Sequence, residues 1–134
     1  ALLFDEIRRK FVALTPEEWV RQHFIRYLID RKSYPAGLIG VEVMFKMNKL
    51  SRRPDILIYD RQGEPLMIVE CKAPDVKISA AVFDQIVAYN LKFKLKYIVV
   101  TNGMEHYACN TDPVNKSWSF INEIPEYTSL LNGG

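Results

Sequence analysis

The chain has 134 residues, 49% hydrophobic and 25% charged, proportions that suit one ordinary globular domain around a single core. Eighteen basic residues against sixteen acidic leave a formal charge of only +2, so overall charge says little about an anionic polymer as partner and any positive patch must be local. Apolar runs such as Leu66 to Val69 and Tyr97 to Val100 are far shorter than the ~20 residues of a membrane-spanning helix, and the opening ALLFDEIRRK carries charges where an export signal needs an apolar stretch, so no membrane association and a cytoplasmic setting are expected.

The first element is announced by Thr15-Pro16-Glu17-Glu18: Thr15 suits the N-cap, Pro16 the first helical position, and Glu18 stands three residues after the cap. A helix is expected from about Pro16 to Arg31, with Val20, Phe24, Tyr27 and Leu28 as its buried stripe and Arg21, Gln22, Arg26 and Asp30 largely off it. After the Tyr34-Pro35-Ala36-Gly37 break, alternation in Val41 to Met47 reads as the first main strand. The polar stretch Asn48 to Arg53 leads into two strands rich in Ile, Leu and Val, Pro54 to Tyr59 and Leu66 to Lys72. A second helix is expected between Ser79 and Lys94 from the spacing of Val82, Ile86, Tyr89 and Phe93, with Ser79 or Asp75 as cap. Tyr97 to Thr101 reads as a short apolar strand, Asn102-Gly103 as a turn, and Met104 to Asn110 and Lys116 to Ile121 as further strands. No internal repeat interrupts this order, so a single domain over residues 1–134, an α/β sandwich around a mixed sheet, is the economical architecture.

The chemistry lies on the two central strands. A two-residue turn at Gln62-Gly63 would join them as an antiparallel hairpin and set Asp55 directly opposite Glu70. Like charges facing each other in a sheet are destabilising, and a divalent cation between them removes that cost. Carboxylate oxygens are the hard ligands Mg²⁺ prefers, and one or two suffice when water and phosphate complete the shell. Glu70 and Lys72 are two apart and share a strand face, while Cys71 points to the other side as a small core residue. Such a site suits phosphodiester hydrolysis: the ion polarises phosphate and acidifies water, and the ammonium orients that water or offsets developing charge. The two cysteines, Cys71 and Cys109, provide neither a disulfide framework nor zinc-ligand spacing.

With Pro54-Asp55 followed after fourteen residues by Glu70-Cys71-Lys72 at the end of an apolar strand, the chain resembles the PD-(D/E)XK nuclease superfamily. It looks more closely like the N-terminal nuclease-type domain of type I restriction enzyme R subunits, through TPEEWVRQ, RRPDILIYD, IVECK and FDQIVAYN. The resemblance implies a restriction-endonuclease-like fold, a central mixed sheet flanked by helices with core order αβββαβ. It also implies Mg²⁺ (with Mn²⁺ able to substitute) held by Asp55, Glu70 and the Cys71 carbonyl, Lys72 as catalytic lysine, and DNA as partner. Related nucleases place an acid on the first core helix, which Glu17 or Glu18 could match; with Glu18 explained by the capping box, Glu17 is favoured. Gln85 and Tyr89 match a QxxxY pattern, and Gln85 would touch the site or the DNA. No GxxxxGK[ST] loop is present, so motor and specificity subunits of a restriction system would be supplied from elsewhere.

Competing readings exist for each residue. Asp55, Glu70 and Lys72 could be strand-end charges with a surface ion pair, and Tyr89 could continue the Val82–Ile86 stripe into the core. Lys49, Arg52 and Arg53 could hold phosphates beside the metal or simply be solvated, and Lys92, Lys94 and Lys96 read as a solvated helix end. His23 and His106 are isolated in sequence and read as surface or satisfied histidines. The alternative function is a noncatalytic nucleic-acid-binding or assembly module that keeps the nuclease fold.

Overall fold

Thr15 caps the first helix as its position before Pro16 demands: in a computed structural model, which describes residues 1–132, its Oγ1 accepts a hydrogen bond from Glu18 N at 3.1 Å. The helix, α1, runs Pro16–Lys32 and is closed by Ser33 in the left-handed conformation. Val20, Phe24, Ile25 and Leu28 bury its inner face. Arg21 is buried and Gln22 half-buried, although both were expected largely off that stripe.

Among the described residues, ten strands follow the expected clusters of β-branched and aromatic residues only in part. A hairpin of β1 (Leu2–Asp5) and β2 (Lys10–Ala13) precedes α1 and was not anticipated. The strand expected over Val41 to Met47 is broken: β3 (Ile39–Val41) stops where Glu42 takes φ 54°, and β4 (Phe45–Met47) turns back on β5 (Leu50–Arg52) as a separate two-stranded hairpin. The central strands are β6 (Ile56–Tyr59) and β7 (Pro65–Cys71). Then come α2 (Ala80–Asn90), capped by Ser79 and extended by a 3-10 turn at Leu91–Phe93, and β8 (Tyr97–Thr101). The chain closes with β9 (His106–Asp112), β10 (Ser117–Ile121) and α3 (Tyr127–Leu131).

The main sheet has six strands in the order β10-β9-β8-β7-β6-β3. All neighbours pair antiparallel except β7 and β8, which are parallel because the α2 crossover returns the chain to the same end of the sheet. Helices α1 and α3 cover one face, packing on Ile56, Ile58, Met67, Val69, Cys71, Tyr97 and Val99. On the opposite face Phe83 and Val87 of α2 pack on Ile98, Val100 and Cys109, while Leu57, Ile68 and Leu95 form a third cluster with Phe45. Both faces are therefore covered, which is why β6, β7 and β8 read as nearly continuous apolar runs.

The β6–β7 register is the expected one, reached by a different route. Ile56 pairs with Val69, Leu57 with Ile68 and Ile58 with Met67, as a two-residue turn at Gln62-Gly63 would require. The turn is wider, however: Asp60 N donates to Glu64 O at 2.8 Å and Gly63 N to Asp60 O at 3.1 Å, with Gly63 at φ 85°. The Asp60 carboxylate favours this loop by accepting from Gln62 N at 2.8 Å and Glu64 N at 2.9 Å. Tyr59 then pairs with Pro65, and an irregularity at Ile58/Tyr59 leaves Leu66 as the extra residue that restores the inner register.

Candidate functional site at the open end of the central strands

The β6–β7 ladder ends at Ile56↔Val69, and Asp55 and Glu70 are the next residues beyond it, at the end of the sheet where β7 finishes. Their carboxylates nevertheless hold different partners. Asp55 Oδ2 accepts from the Cys71 backbone N–H at 2.8 Å and Oδ1 from Arg21 Nη2 at 2.8 Å, so this side chain is tied to α1 and to β7 at once. Glu70 Oε1 forms an ion pair with Arg52 Nη2. Lys72 N donates to Thr101 O at 2.8 Å, so strand alternation continues past β7 and sets the half-buried Lys72 on the face of Glu70. Among the described residues its ammonium makes no ion pair. Cys71 packs in the α1-side core, where burial pushes its thiol well up, and the same alternation directs its carbonyl to the β6 side, where its N–H meets Asp55.

Asp55 belongs to a larger charged cluster. Arg21 Nη1 donates to Glu18 at 2.8 Å and to Glu42 at 3.2 Å, so one guanidinium serves three carboxylates. Arg8, in the turn between β1 and β2, pairs with Asp5, with Glu18 at 2.7 Å and with Glu42 at 2.9 Å. Gln22 Nε2 bridges Asp5 and Glu18. Burial works to lower both arginine pKa values, but the surrounding carboxylates outweigh it and raise them. Asp5 shows the converse: burial works to raise its carboxyl, and hydrogen bonds from Arg8 and Gln22 carry it below the ordinary value. Asp5, Glu18, Glu42 and Asp55 outnumber Arg8 and Arg21, so the cluster keeps a surplus of negative charge.

Several expected residues lie elsewhere. Glu17 is exposed and outside the cluster, whereas Glu18 is buried within it, because residues 18, 21 and 22 share the helix face turned toward Asp55. Gln85 is exposed on α2 and has no hydrogen-bond partner among the described residues. Tyr89 does not enter the core: it is 47% exposed, with Arg52 Cζ 5.2 Å and Lys92 Nζ 4.0 Å from its ring centroid. His106 is held by Thr101 Oγ1 at 2.6 Å and packs on Phe24 and Tyr27, and burial lowers its pKa. Sequence reasoning missed Asp5, Arg8, Arg21 and Glu42. For Arg21 the signal was its position three residues after Glu18 on one helix face.

Among the described residues no three His, Cys, Asp or Glu side chains converge as a metal cage. Asp55, Glu70 and the Cys71 carbonyl are hard oxygen donors near this end of the sheet, the type an ion that keeps several waters uses, and each carboxylate is engaged by an arginine, Asp55 by Arg21 of α1 and Glu70 by Arg52 of the β4–β5 hairpin. The surplus negative charge around Asp55 fits a cation there too. A groove of about 660 Å³ between the β1–β2 hairpin and α1 is a different place, lined by Leu3, Phe4, Ile7, His23, Ile25 and Ile29 among others.

These features define an α/β domain with a central mixed sheet and an arginine–carboxylate cluster at one end of its middle strands. Residues 16–125 match the family model for the N terminus of the type I restriction enzyme R protein, and the chain belongs to that family. In fold it is similar to the fragment structure of a protein described as an HsdR subunit of a type I restriction enzyme from Vibrio vulnificus YJ016, at 18% identity and a TM-score of 0.55. That likeness covers 91% of this chain and 26% of the other, so the chain spans about a quarter of the length of the protein it matches. No curated protein matches the chain. No described helix is long and apolar enough to cross a membrane.

Proposed function

We propose that the chain is a metal-dependent DNA hydrolase domain of the PD-(D/E)XK type, a restriction-type deoxyribonuclease that works with motor and specificity subunits in the cytoplasm. The observation that carries this reading is the β6–β7 register, Ile56 opposite Val69, which carried one position further would set Asp55 opposite Glu70, with Lys72 two residues beyond Glu70 on the same strand direction. Asp55, Glu70 and the Cys71 carbonyl would hold Mg²⁺ or Mn²⁺, which when bound supplies Lewis acidity toward phosphate and a water of lowered pKa. Arg21 fixes the Asp55 carboxylate from one side while Cys71 N–H fixes it from the other. Lys72 offers an uncommitted ammonium to the attacking water or to the developing phosphorane charge. Glu18, rather than Glu17, supplies the acid of the first helix through Arg21, and exposed Gln85 faces the DNA from α2.

The test is cleavage of plasmid and linear DNA with Mg²⁺ or Mn²⁺, comparing Asp55→Asn, Glu70→Gln and Lys72→Ala with the parent. Each substitution is expected to lower the rate at least about a hundredfold. If all three cleave like the parent, or if the parent binds neither ion, the catalytic assignment fails. One observation favours a second reading: each carboxylate already has an arginine partner, as in a noncatalytic nucleic-acid-binding or assembly module. Salt-dependent DNA retention that ignores all three substitutions, with no cleavage, selects that reading.

A further inference from the structure

Arg52 ends the β4–β5 hairpin at the point where it meets the carboxylate edge. Its guanidinium is engaged on several sides: Nη2 pairs with Glu70, Nε donates to Asn90 Oδ1 at 3.1 Å, and Cζ lies 5.2 Å from the Tyr89 ring centroid. Asn90 is itself a built partner, only 1% exposed and locked by Nδ2 donating to Ile86 O at 2.9 Å. This differs from an ordinary surface ion pair, since the side chains of Arg52 and Glu70 are 18% and 15% exposed. A carboxylate so sheltered is costly without a counter-charge, and the arginine supplies one. The pairing runs through Glu70 Oε1 itself, so a cation that takes this oxygen has to displace the guanidinium.

The element carrying Arg52 is not part of the six-stranded sheet. It is a hairpin of two three-residue strands, seated through Phe45 on Phe93 with centroids 5.5 Å apart, so it can shift without breaking the main ladder. A guanidinium and a divalent ion compete for the same oxygens, and the planar fork that suits a carboxylate suits a phosphate equally. Lys92 Nζ also lies 4.0 Å from the centroid of the Tyr89 ring.

Resting on the metal-site reading above, we propose that Arg52 is an exchangeable counter-cation: it neutralises Glu70 while no divalent ion is bound, yields Glu70 to the ion, and then contacts a nucleic-acid phosphate from its seat on Asn90 and Tyr89. The parked arginine keeps the edge stable without metal and taxes metal affinity by the strength of its own pairing.

The experiment measures Mn²⁺ binding to the full chain by the loss of free-ion EPR signal, without DNA, for the parent, Arg52→Met, Arg52→Lys and Glu70→Gln. Arg52→Met is expected to bind Mn²⁺ about fivefold more tightly, the equivalent of about 1 kcal/mol. Arg52→Lys should fall between it and the parent, and Glu70→Gln should lose binding. With Ca²⁺ and a fluorescent DNA duplex, anisotropy titrations over a salt series should show the Arg52→Met slope reduced by about one. Folded Arg52→Met that binds Mn²⁺ no more tightly than the parent overturns the exchange, and an unchanged salt slope overturns the phosphate contact. If Arg52→Met does not fold, Arg52→Lys decides the exchange by its Mn²⁺ affinity, because it keeps the charge but loses the Nε bond to Asn90, and Arg52→Gln decides the salt slope. Failure of both parent and variants to bind Mn²⁺ instead removes the metal site itself, a distinct result.

Discussion

Replacing Arg21 by methionine keeps the aliphatic stem and deletes the guanidinium shared by Glu18, Glu42 and Asp55. The Arg21 side chain is 9% exposed, and its partners Glu18, Asp55 and Glu42 are 8%, 21% and 42% exposed. Breaking a buried pair by removing one partner costs about 3–5 kcal/mol, since a charge stays behind without compensation. Two of these carboxylates retain some solvent and Arg8 still reaches Glu18 and Glu42, so the expected loss is near the lower end, about 3 kcal/mol. For a chain of this length that lowers Tm by roughly 10 °C. Urea unfolding followed by circular dichroism measures it, with Arg26→Met as control. Arg26 pairs with Asp30 and Glu6 at the surface, its own side chain 53% exposed, and its loss should cost no more than about 0.5 kcal/mol. An Arg21→Met variant within about 1 kcal/mol of the parent, or no worse than Arg26→Met, would refute the view that this guanidinium holds the cluster together.

Other outcomes follow from single contacts. Asp5 is carried below its ordinary value of 3.8, so it contributes stability present above the unfolded pKa and lost as pH falls through the folded one; Asp5→Asn should therefore be least damaging below about pH 4, and urea midpoints at pH 7, 5 and 3 that show a constant gap would contradict this. Ser33 closes α1 at φ 60°, where glycine is unstrained, so Ser33→Gly should raise stability by about 0.5 kcal/mol, and a loss in thermal unfolding would count against the cap as described. Tyr127→Phe deletes the hydroxyl that donates to Tyr59 O at 2.8 Å and should cost about 1 kcal/mol by urea denaturation, whereas no change would mean that α3 is held by its apolar contacts alone.

What the sequence made legible was local. Thr15-Pro16 placed the start of α1, Ser79 capped α2, and continuous apolar runs located β6, β7 and β8. Hairpin arithmetic gave the register of Ile56 with Val69, and strand parity put Cys71 in the core. The charged cluster was not legible because its bonds span the chain, with Arg21 reaching Asp55 across 34 positions and Arg8 reaching Glu42 across as many. Glu18 was passed over on the ground that capping already explained it, yet the two roles use different atoms: its backbone N–H serves Thr15 while its carboxylate serves Arg8, Arg21 and Gln22. Tyr89 followed the spacing of core residues, but α2 gives way to a 3-10 turn after Asn90 and the ring stays at the surface under Arg52 and Lys92.

The surplus residue at Leu66 makes the hairpin tip mechanically independent of the far end of the strands. A narrow two-residue turn without a bulge and the wider observed loop with one deliver the same alignment of Ile56 with Val69, so slippage between them is absorbed within a few residues. Side-chain burial of Ile56, Ile58, Met67 and Val69 under α1, not the turn, is what holds the phase. Excising Leu66 should leave Asp55 abreast of Glu70, whereas excising a residue between Met67 and Val69 would swap thiol for carboxylate at the edge.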